Sequence, residues 1–402
     1  MGSEISTLAL PLTAILVLHS TVFELGLLTT MRWAPYLLLA LPLGVWVDRR
    51  RRKPLLVLAD LGQAVLLTSI PVLYALGALN IELLLAVAFA TGSFAVLFEL
   101  AYRSYLPSVV DHAELTDANA KLSMSQSGAE VGGPALGGVL VQAVGAPLAV
   151  LLDALSFLAS AVSLLAIKRV EPHVMPRREV RLGTEIAQGL RFTFASRLLR
   201  AFAGEAASYN LCWALIQAVM PLYLIRELRF STSTLGVILG TGSIGALLGA
   251  AYTSRVASRI GVGTTMIAAA VIGDVAPLAI PAVSANTTAA AVALAGAFFI
   301  QGAGITGCNV HTNSIRQAIT PPRLQGRANA SYRVLVSGAA PLGGLAGGAL
   351  GATVGLHATL LLGAVGLLTP AAWLVFSPVR GLHALEEIEP ALAARQAEVA
   401  AT

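Results

Sequence analysis

Gly44-Val-Trp-Val-Asp48-Arg49-Arg50-Arg51-Arg52-Lys53 decides how the chain is read. An apolar run from Trp33 to Val47 stops at an aspartate followed by five consecutive cations, and a second apolar run, Leu55 to Leu76, starts at once. Two bilayer-length apolar segments joined by a tight basic turn describe a helix–loop–helix in a membrane. The turn belongs on the cytoplasmic face, where Lys and Arg accumulate. Gly44 is expected to let the helix ends approach closely, and Asp48 to cap a neighbouring helix or hold an arginine. Arg49, Arg52 and Lys53 stay in water at the headgroups. The bland alternative is an ordinary positive-inside loop.

The totals agree with a membrane reading. Apolar residues make up 56% of the 402 and charged residues 12%, so a soluble surface cannot be built. The formal charge of +5 is gathered into particular loops, which points to topology and away from nucleic acid. Cys212 and Cys308 lie far apart in apolar stretches and imply no disulfide framework.

Twelve apolar segments are predicted to span the membrane, over residues 3–19, 24–47, 55–76, 82–104, 119–144, 147–167, 203–225, 232–253, 262–281, 288–311, 328–352 and 355–376. The first is short, reaching ~25 Å as a helix, and lacks a basic flank; the expectation is that an upstream segment completes it. With the 48–53 turn inside, alternation puts Lys121, the cations of 168–200, Arg255, Arg259, Arg316, Arg323 and Arg327 inside as well. Outside remain Arg226 and Arg229, an asymmetry that supports both termini in the cytoplasm. Residues 168–200 read as a linker whose stretch Glu185 to Phe194 forms a short amphipathic helix. The division is therefore 1–167, a first six-helix bundle; 168–200, a linker; 201–376, a second bundle; and 377–402, a cytoplasmic tail.

The halves repeat. With an offset of 210 residues, Ala118 to Gly145 matches Ala328 to Gly355 at twelve of 28 positions, including Ala-Asn-Ala at each start and Gly133, Gly137 and Gly138 against Gly343, Gly347 and Gly348. Small residues at that spacing let two backbones approach, and Pro134 among them bends its helix.

The order Gly-x-x-x-Asp-Arg-x-x-Arg-Lys at 44–53 resembles the signature between helices two and three of the major facilitator superfamily. Gly133-Pro134-x-x-Gly137-Gly138 resembles the fifth-helix motif of its drug:proton antiporters. The flanks Leu106-Pro-Ser-Val-Val110, Arg316-Gln-Ala-Ile-Thr-Pro321 and Gly326-Arg327-Ala-Asn-Ala330 are similar to the bacterial exporter subfamily that includes macrolide efflux proteins and the enterobactin exporter. The resemblance implies an all-α membrane protein of two pseudo-symmetric six-helix bundles that rock about a midplane site. It also implies that Asp48 sits near the positive end of the eleventh span. Ala88 stands where many family members place an arginine, so a proton role for that arginine does not carry over.

Ionisable residues inside spans mark functional sites by default. Glu130, about eleven residues into its span and so ~16 Å deep, could load and release a proton. Arg32 lies at similar depth and is one possible partner; otherwise the two form a permanent structural pair. Glu4, ahead of Ala9-Leu10-Pro11, faces the same choice. Glu99 and Arg103, at i,i+4, should pair within one helix, extended by Arg49 or Arg52 into a cytoplasmic latch. Asp60, Asp153 and Asp274 read as structural acids outside the cavity ring. Glu205, Tyr209, Asn210, Asn309, His311 and Asn313 are candidates to line the cavity.

No phosphate loop, metal-ligand spacing or nucleophile elbow is present, so neither cofactor nor metal is expected and an enzyme is the least favoured class. The reading is a monomeric multi-pass transporter of the cell (inner) membrane. It exchanges protons for hydrophobic or amphipathic small molecules by alternating access. Its rivals are a dedicated exporter of one metabolite or siderophore, a lipid flippase, and a membrane sensor or assembly partner that transports nothing.

Overall fold

The computed structural model describes residues 2–110, 115–167, 182–321 and 325–382, and the regular elements among these are all helical. The first bundle comprises α1 (Gly2–Leu16), α2 (Val22–Leu38), α3 (Ala40–Asp48), α4 (Arg52–Ala75), α5 (Ile81–Val109), α6 (Leu115–Val144) and α7 (Ala146–Ala166). A connecting helix α8 (Leu182–Ala195) packs on the second bundle. That bundle contains α9 (Arg197–Leu222), α10 (Thr232–Ile260), α11 (Val262–Val275), α12 (Ala279–Ala282), α13 (Thr288–Ile319), α14 (Gln325–Thr353), α15 (Leu356–Gly366) and α16 (Leu368–Val375). The start of the expected linker, 168–181, and the tail from 383 lie outside the described residues.

Nine of the described helices are long and apolar enough to cross a bilayer. With α1, a shorter apolar helix, the broken pair α2–α3 and the polar-ended α6, the twelve expected crossings are accounted for. Three crossings are interrupted where prolines withdraw a donor. Pro42 offers no N–H to Leu38 and the chain breaks at Leu39; Pro281 offers none to Pro277, and the ninth crossing passes through a 3₁₀ turn at Ala276–Leu278; Pro370 offers none to Gly366, and α15 ends there.

The repeat extends well beyond the stretch that reveals it. Helix starts Val22 and Thr232, Arg52 and Val262, Leu115 and Gln325, and Ala146 and Leu356 are each 210 residues apart. Even the backbone repeats: Gly145 and Gly355 cap α7 and α15 at φ 87° and 88°, a region that strains any residue with a side chain.

Two faces of the molecule differ in chemistry. On the face away from the basic turn, helix starts are capped by acceptor side chains: Thr21 and Glu24 form a capping box on α2, and Asn80, Ser231 and Thr287 cap α5, α10 and α13. At the basic turn, Lys53 Nζ donates to the carbonyls of Leu165 (3.2 Å) and Ile167 (2.6 Å), satisfying orphan groups at the end of α7. Large apolar side chains such as Val65, Leu76, Val162 and Val292 point outward, as hydrocarbon contact requires.

The cores show how the bundles meet. Towards the capped face one continuous core joins both bundles, running from Ile5, Leu12 and Leu28 to Ile216, Leu235 and Leu367. Towards the basic face it splits into two, one around Val47, Leu56 and Leu97, the other around Phe202, Met266 and Leu374. Glycines allow the fusion. A Cβ on Gly26 of α2 would lie 2.4 Å from Gly348 Cα of α14, and one on Gly236 of α10 would lie 2.4 Å from the Pro134 carbonyl of α6. The molecule is sealed at the capped face and parted at the basic one.

Candidate functional site

Between the bundles lies a cavity of ≈ 140 Å³. The first bundle lines it with Glu4, Thr7, Leu28, Thr29, Arg32, Trp33 and Pro134, the second with Asn210, Trp213, Gln217, Met220, Leu239 and Ala340. Its wall is aromatic and fixed: Trp213 stacks on Tyr209 at 6.3 Å and meets Phe298 edge-on at 5.9 Å. Tyr209 is itself anchored, accepting a 2.7 Å hydrogen bond from Gln301 Nε2.

A second cavity, ≈ 160 Å³, lies within the first bundle and is lined by Ser3, Ser6, Tyr36, Gln63, Thr91 and Asp153 among others. Thr7, Leu10, Arg32 and Trp33 line both cavities. The Arg32 guanidinium donates to Thr7 Oγ1, while Glu4, Asp153 and Tyr36 stand within its electrostatic reach. None of the ion pairs within 4 Å among the described residues involves Arg32. Asp153 is 1% exposed and its Oδ1 accepts from Ser156 Oγ at 3.1 Å. The expectation that Asp153 is a structural acid away from the cavities is therefore corrected: α7 turns it onto the same space as Arg32.

Of the expected coupling residues, Glu4 and Arg32 come together and Glu130 stands apart. Glu130 is half-buried on α6, and its carboxylate accepts from Gln126 Nε2 at 2.8 Å on the same helix. Arg32, the partner considered for it, is taken up with Thr7 instead, and Glu130 acts on the site through its field on Glu4.

At the basic face Glu99 and Arg103 form the expected i,i+4 pair at 2.9 Å. The second partner of Glu99 is Arg333 of α14, also at 2.9 Å, where Arg49 or Arg52 was expected. This pair spans the gap between bundles, and Tyr36, one turn beyond Arg32, stands within electrostatic reach of Glu99 and Arg333. Arg49 caps α3 and is exposed, and Arg52 opens α4. Asp48 ends α3, and its side chain lies outside what is described. Among the described residues no atom comes within 4 Å of a Cβ built on Gly44, whereas close approaches occur at Gly62 against Phe94 and at Gly92 against the Arg32 carbonyl.

The α6 motif acts in packing. Gly133 is buried, Gly137 faces Ile5 of α1, Gly138 faces Gly236 and accepts from Thr232 Oγ1 at 3.3 Å, and Pro134 reaches the cavity. At the capped face Arg226 closes the bundles together, donating to the carbonyls of Ser20 (3.1 Å) and Ile15 (3.0 Å).

Among the six lining candidates of the second bundle, Asn210 lines the cavity. Tyr209 supports its aromatic wall, and Glu205 is buried behind it at 4% exposure. His311 is buried against Thr253 Oγ1 at 3.0 Å, while Asn309 and Asn313 are exposed. Trp33, Trp213, Gln217 and Arg333 were not anticipated; aromatic and amide residues in spans two and seven were the available signal.

Residues 15–401 match the family described as transmembrane secretion effectors. The multidrug efflux pump Tap of Mycolicibacterium fortuitum is 26% identical over 394 residues, which cover 94% of this chain and 92% of that one. The MFS-type transporter YfiS of Bacillus subtilis is 26% identical over 371 residues, covering 90% and 86%. Among solved structures, a bacterial homologue of the iron transporter ferroportin in an inward-facing state superposes with a TM-score of 0.70 at 18% identity, covering 93% and 95%. The nucleoside transporter NupG superposes at 0.73 and 12%, again covering 93% and 95%.

Proposed function

This chain belongs to the transmembrane secretion effectors of the major facilitator superfamily, multi-pass membrane transporters of small molecules, and we propose that it exports hydrophobic or amphipathic compounds in exchange for protons. The observation that carries this reading is the cavity between the bundles, where the ionisable residues Glu4 and Arg32 stand in a mostly apolar wall with two tryptophans and a few neutral polar groups, Thr7, Thr29, Asn210 and Gln217. A body such as a planar drug would gain its binding from Trp33, Trp213, Met220 and Leu239, and Glu4 would tie occupancy to a proton. The efflux pump among the relatives adds weight to the direction of transport.

In this reading 1–167 and 201–376 move as the two bundles, 168–200 links them, 377–402 is a tail, and the protein works as a monomer in the inner membrane. The basic face is cytoplasmic and so are both termini. The described state then opens to the cell interior. The Glu99–Arg333 pair already ties α5 to α14 in this state and would tighten as that side closes, while opening the outer side would break the Arg226 clasp on Ile15 and Ser20.

The test is proton-driven efflux of ethidium in inverted vesicles. Glu4→Gln should reduce transport driven by a pH gradient at least about tenfold, the equivalent of ~1.4 kcal/mol, while leaving insertion intact. Undiminished efflux in that variant removes Glu4 from the coupling step.

A further inference from the structure

Arg32 occupies an unusual place: it lines both cavities, with Glu4 on the cavity between the bundles and Asp153 on the cavity inside the first bundle. A guanidinium has five N–H donors, and the direct partner seen here is one hydroxyl, Thr7 Oγ1. Two carboxylates within its field and outside ion-pair distance leave it free to turn towards either. We propose that Arg32 is a switch between Glu4 and Asp153, and that a cationic cargo at Glu4 turns it towards Asp153, which then gives up the exported cargo's counter-proton.

The steps balance. With no cargo, Arg32 compensates ionised Glu4, and Asp153 is kept as a neutral acid by its burial inside the bundle. The hydroxyl of Ser156 donates to the Asp153 Oδ1 and is ready to stabilise the carboxylate once the proton leaves. A lipophilic cation seated between Trp33 and Trp213 pairs with the Glu4 carboxylate and repels the guanidinium. Arg32 turns to Asp153, whose O–H bond breaks; the electron pair stays on the carboxylate and the proton leaves to water in the second cavity. One positive charge has entered and one has left. On the far side of the membrane a proton returns to Asp153, Arg32 swings back to Glu4, and the cargo is displaced.

The other groups facing this switch come from every neighbouring element, beginning with Ser3 and Ser6 of α1. From α2 comes Tyr36, from α4 the amide of Gln63, from α5 Thr91, and from α6 Glu130, which acts on Glu4. Tyr36 also lies in the field of Arg32 and of the Glu99–Arg333 pair at the seam between the bundles.

This inference rests on the proton-coupled export reading, and its experiment separates the two. In purified protein, tetraphenylphosphonium binding should release a proton for each cation bound, read with a pH dye in weak buffer. Asp153→Asn should bind the cation with an affinity that no longer depends on pH and release no proton; Asp153→Glu should restore release. A cargo-free arm uses Trp33 as sole tryptophan, after phenylalanine replaces Trp46, Trp213 and Trp373. Its fluorescence should show a pH-dependent step that Asp153→Asn abolishes. Should the Asp153→Asn protein still release protons, or keep the fluorescence step, the switch is refuted. Loss of the step together with absence of cation binding in the native protein supports Asp153 as the proton site but refutes the cargo-driven turn of Arg32.

Discussion

The two bundles share a backbone and differ in their charges. Taken 210 residues on, Glu4 becomes Ala214, Arg32 becomes Gly242 and Asp153 becomes Gly363, and Pro11 of α1 keeps its counterpart in Pro221 of α9. Two of the three helices that carry the trio, α2 and α7, start 210 residues before their counterparts α10 and α15, yet all three charged side chains are gone. What the second bundle buries instead is a pair of acids, Glu205 and Asp274, in each other's field, and no ion pair within 4 Å among the described residues involves either. Asp274 is 1% exposed, and its carboxylate oxygens have no hydrogen-bond partner among the described residues. Two buried acids without a cation are stable as neutral groups, and nothing there can rearrange when one changes state. A cation placed between two acids can. In the proposed exchange, the comparison favours the first bundle for the proton chemistry, with the aromatic surface for cargo shared by both.

The severest way to break this contrast is to make the first bundle resemble the second. Arg32→Met leaves Glu4 and Asp153 without their shared cation, and proton-driven efflux should fall by about tenfold or more, with Arg32→Lys recovering part of it. Lysine keeps the charge and loses the fork that can address two carboxylates, so partial recovery is the informative outcome. Efflux in Arg32→Met equal to the unsubstituted protein, measured with the same pH gradient, would show that the asymmetry is ornamental.

Neutralising the second bundle should do far less. Asp274→Asn and Glu205→Gln keep volume and remove only the charge that the site already disfavours. Proton-driven efflux should stay within about twofold, and thermal stability in detergent should hold or rise by the equivalent of ~1 kcal/mol. A collapse of coupling in either variant would move the proton site across the molecule and reverse the comparison.

How much of this was legible beforehand follows from what hydropathy measures. It reports depth, so the crossings, the repeat at Ala118 and Ala328, the amphipathic helix within 168–200 and the depth of Arg32 and Glu4 could all be read from residue order. It does not report which way a helix is turned. Asp60 and Asp153 are equally buried acids in equally apolar helices; Asp153 faces the Arg32 cavity, and no feature of its sequence neighbourhood says so. Arg333 escaped notice for the opposite reason. It sits two turns into α14, beyond the loops where cations were sought, and its partner is 234 residues away. The breaks at Leu39 and Leu367 could have been forecast from Pro42 and Pro370, since each removes a donor four residues downstream of the carbonyl it orphans.

The gentlest test concerns Glu130, whose counterpart 210 residues on is Ala340, a cavity-lining residue. Depth alone made Glu130 a natural proton carrier, but α6 turns it so that Gln126 of its own helix holds it at 2.8 Å, next to a stretch where Met124 is 75% exposed. A half-buried carboxylate with a neutral partner forfeits little on becoming an amide, because the hydrogen bond can re-form with the amide oxygen, at a net cost of ~1 kcal/mol or less. Glu130→Gln should therefore lower proton-driven efflux by less than about threefold, since its influence reaches the switch only through the field on Glu4. If that single change abolished coupling while Arg32→Met spared it, the decisive asymmetry would be Glu130 against Ala340 on the paired helices α6 and α14. The proton would then cross at the bundle seam and not inside the first bundle.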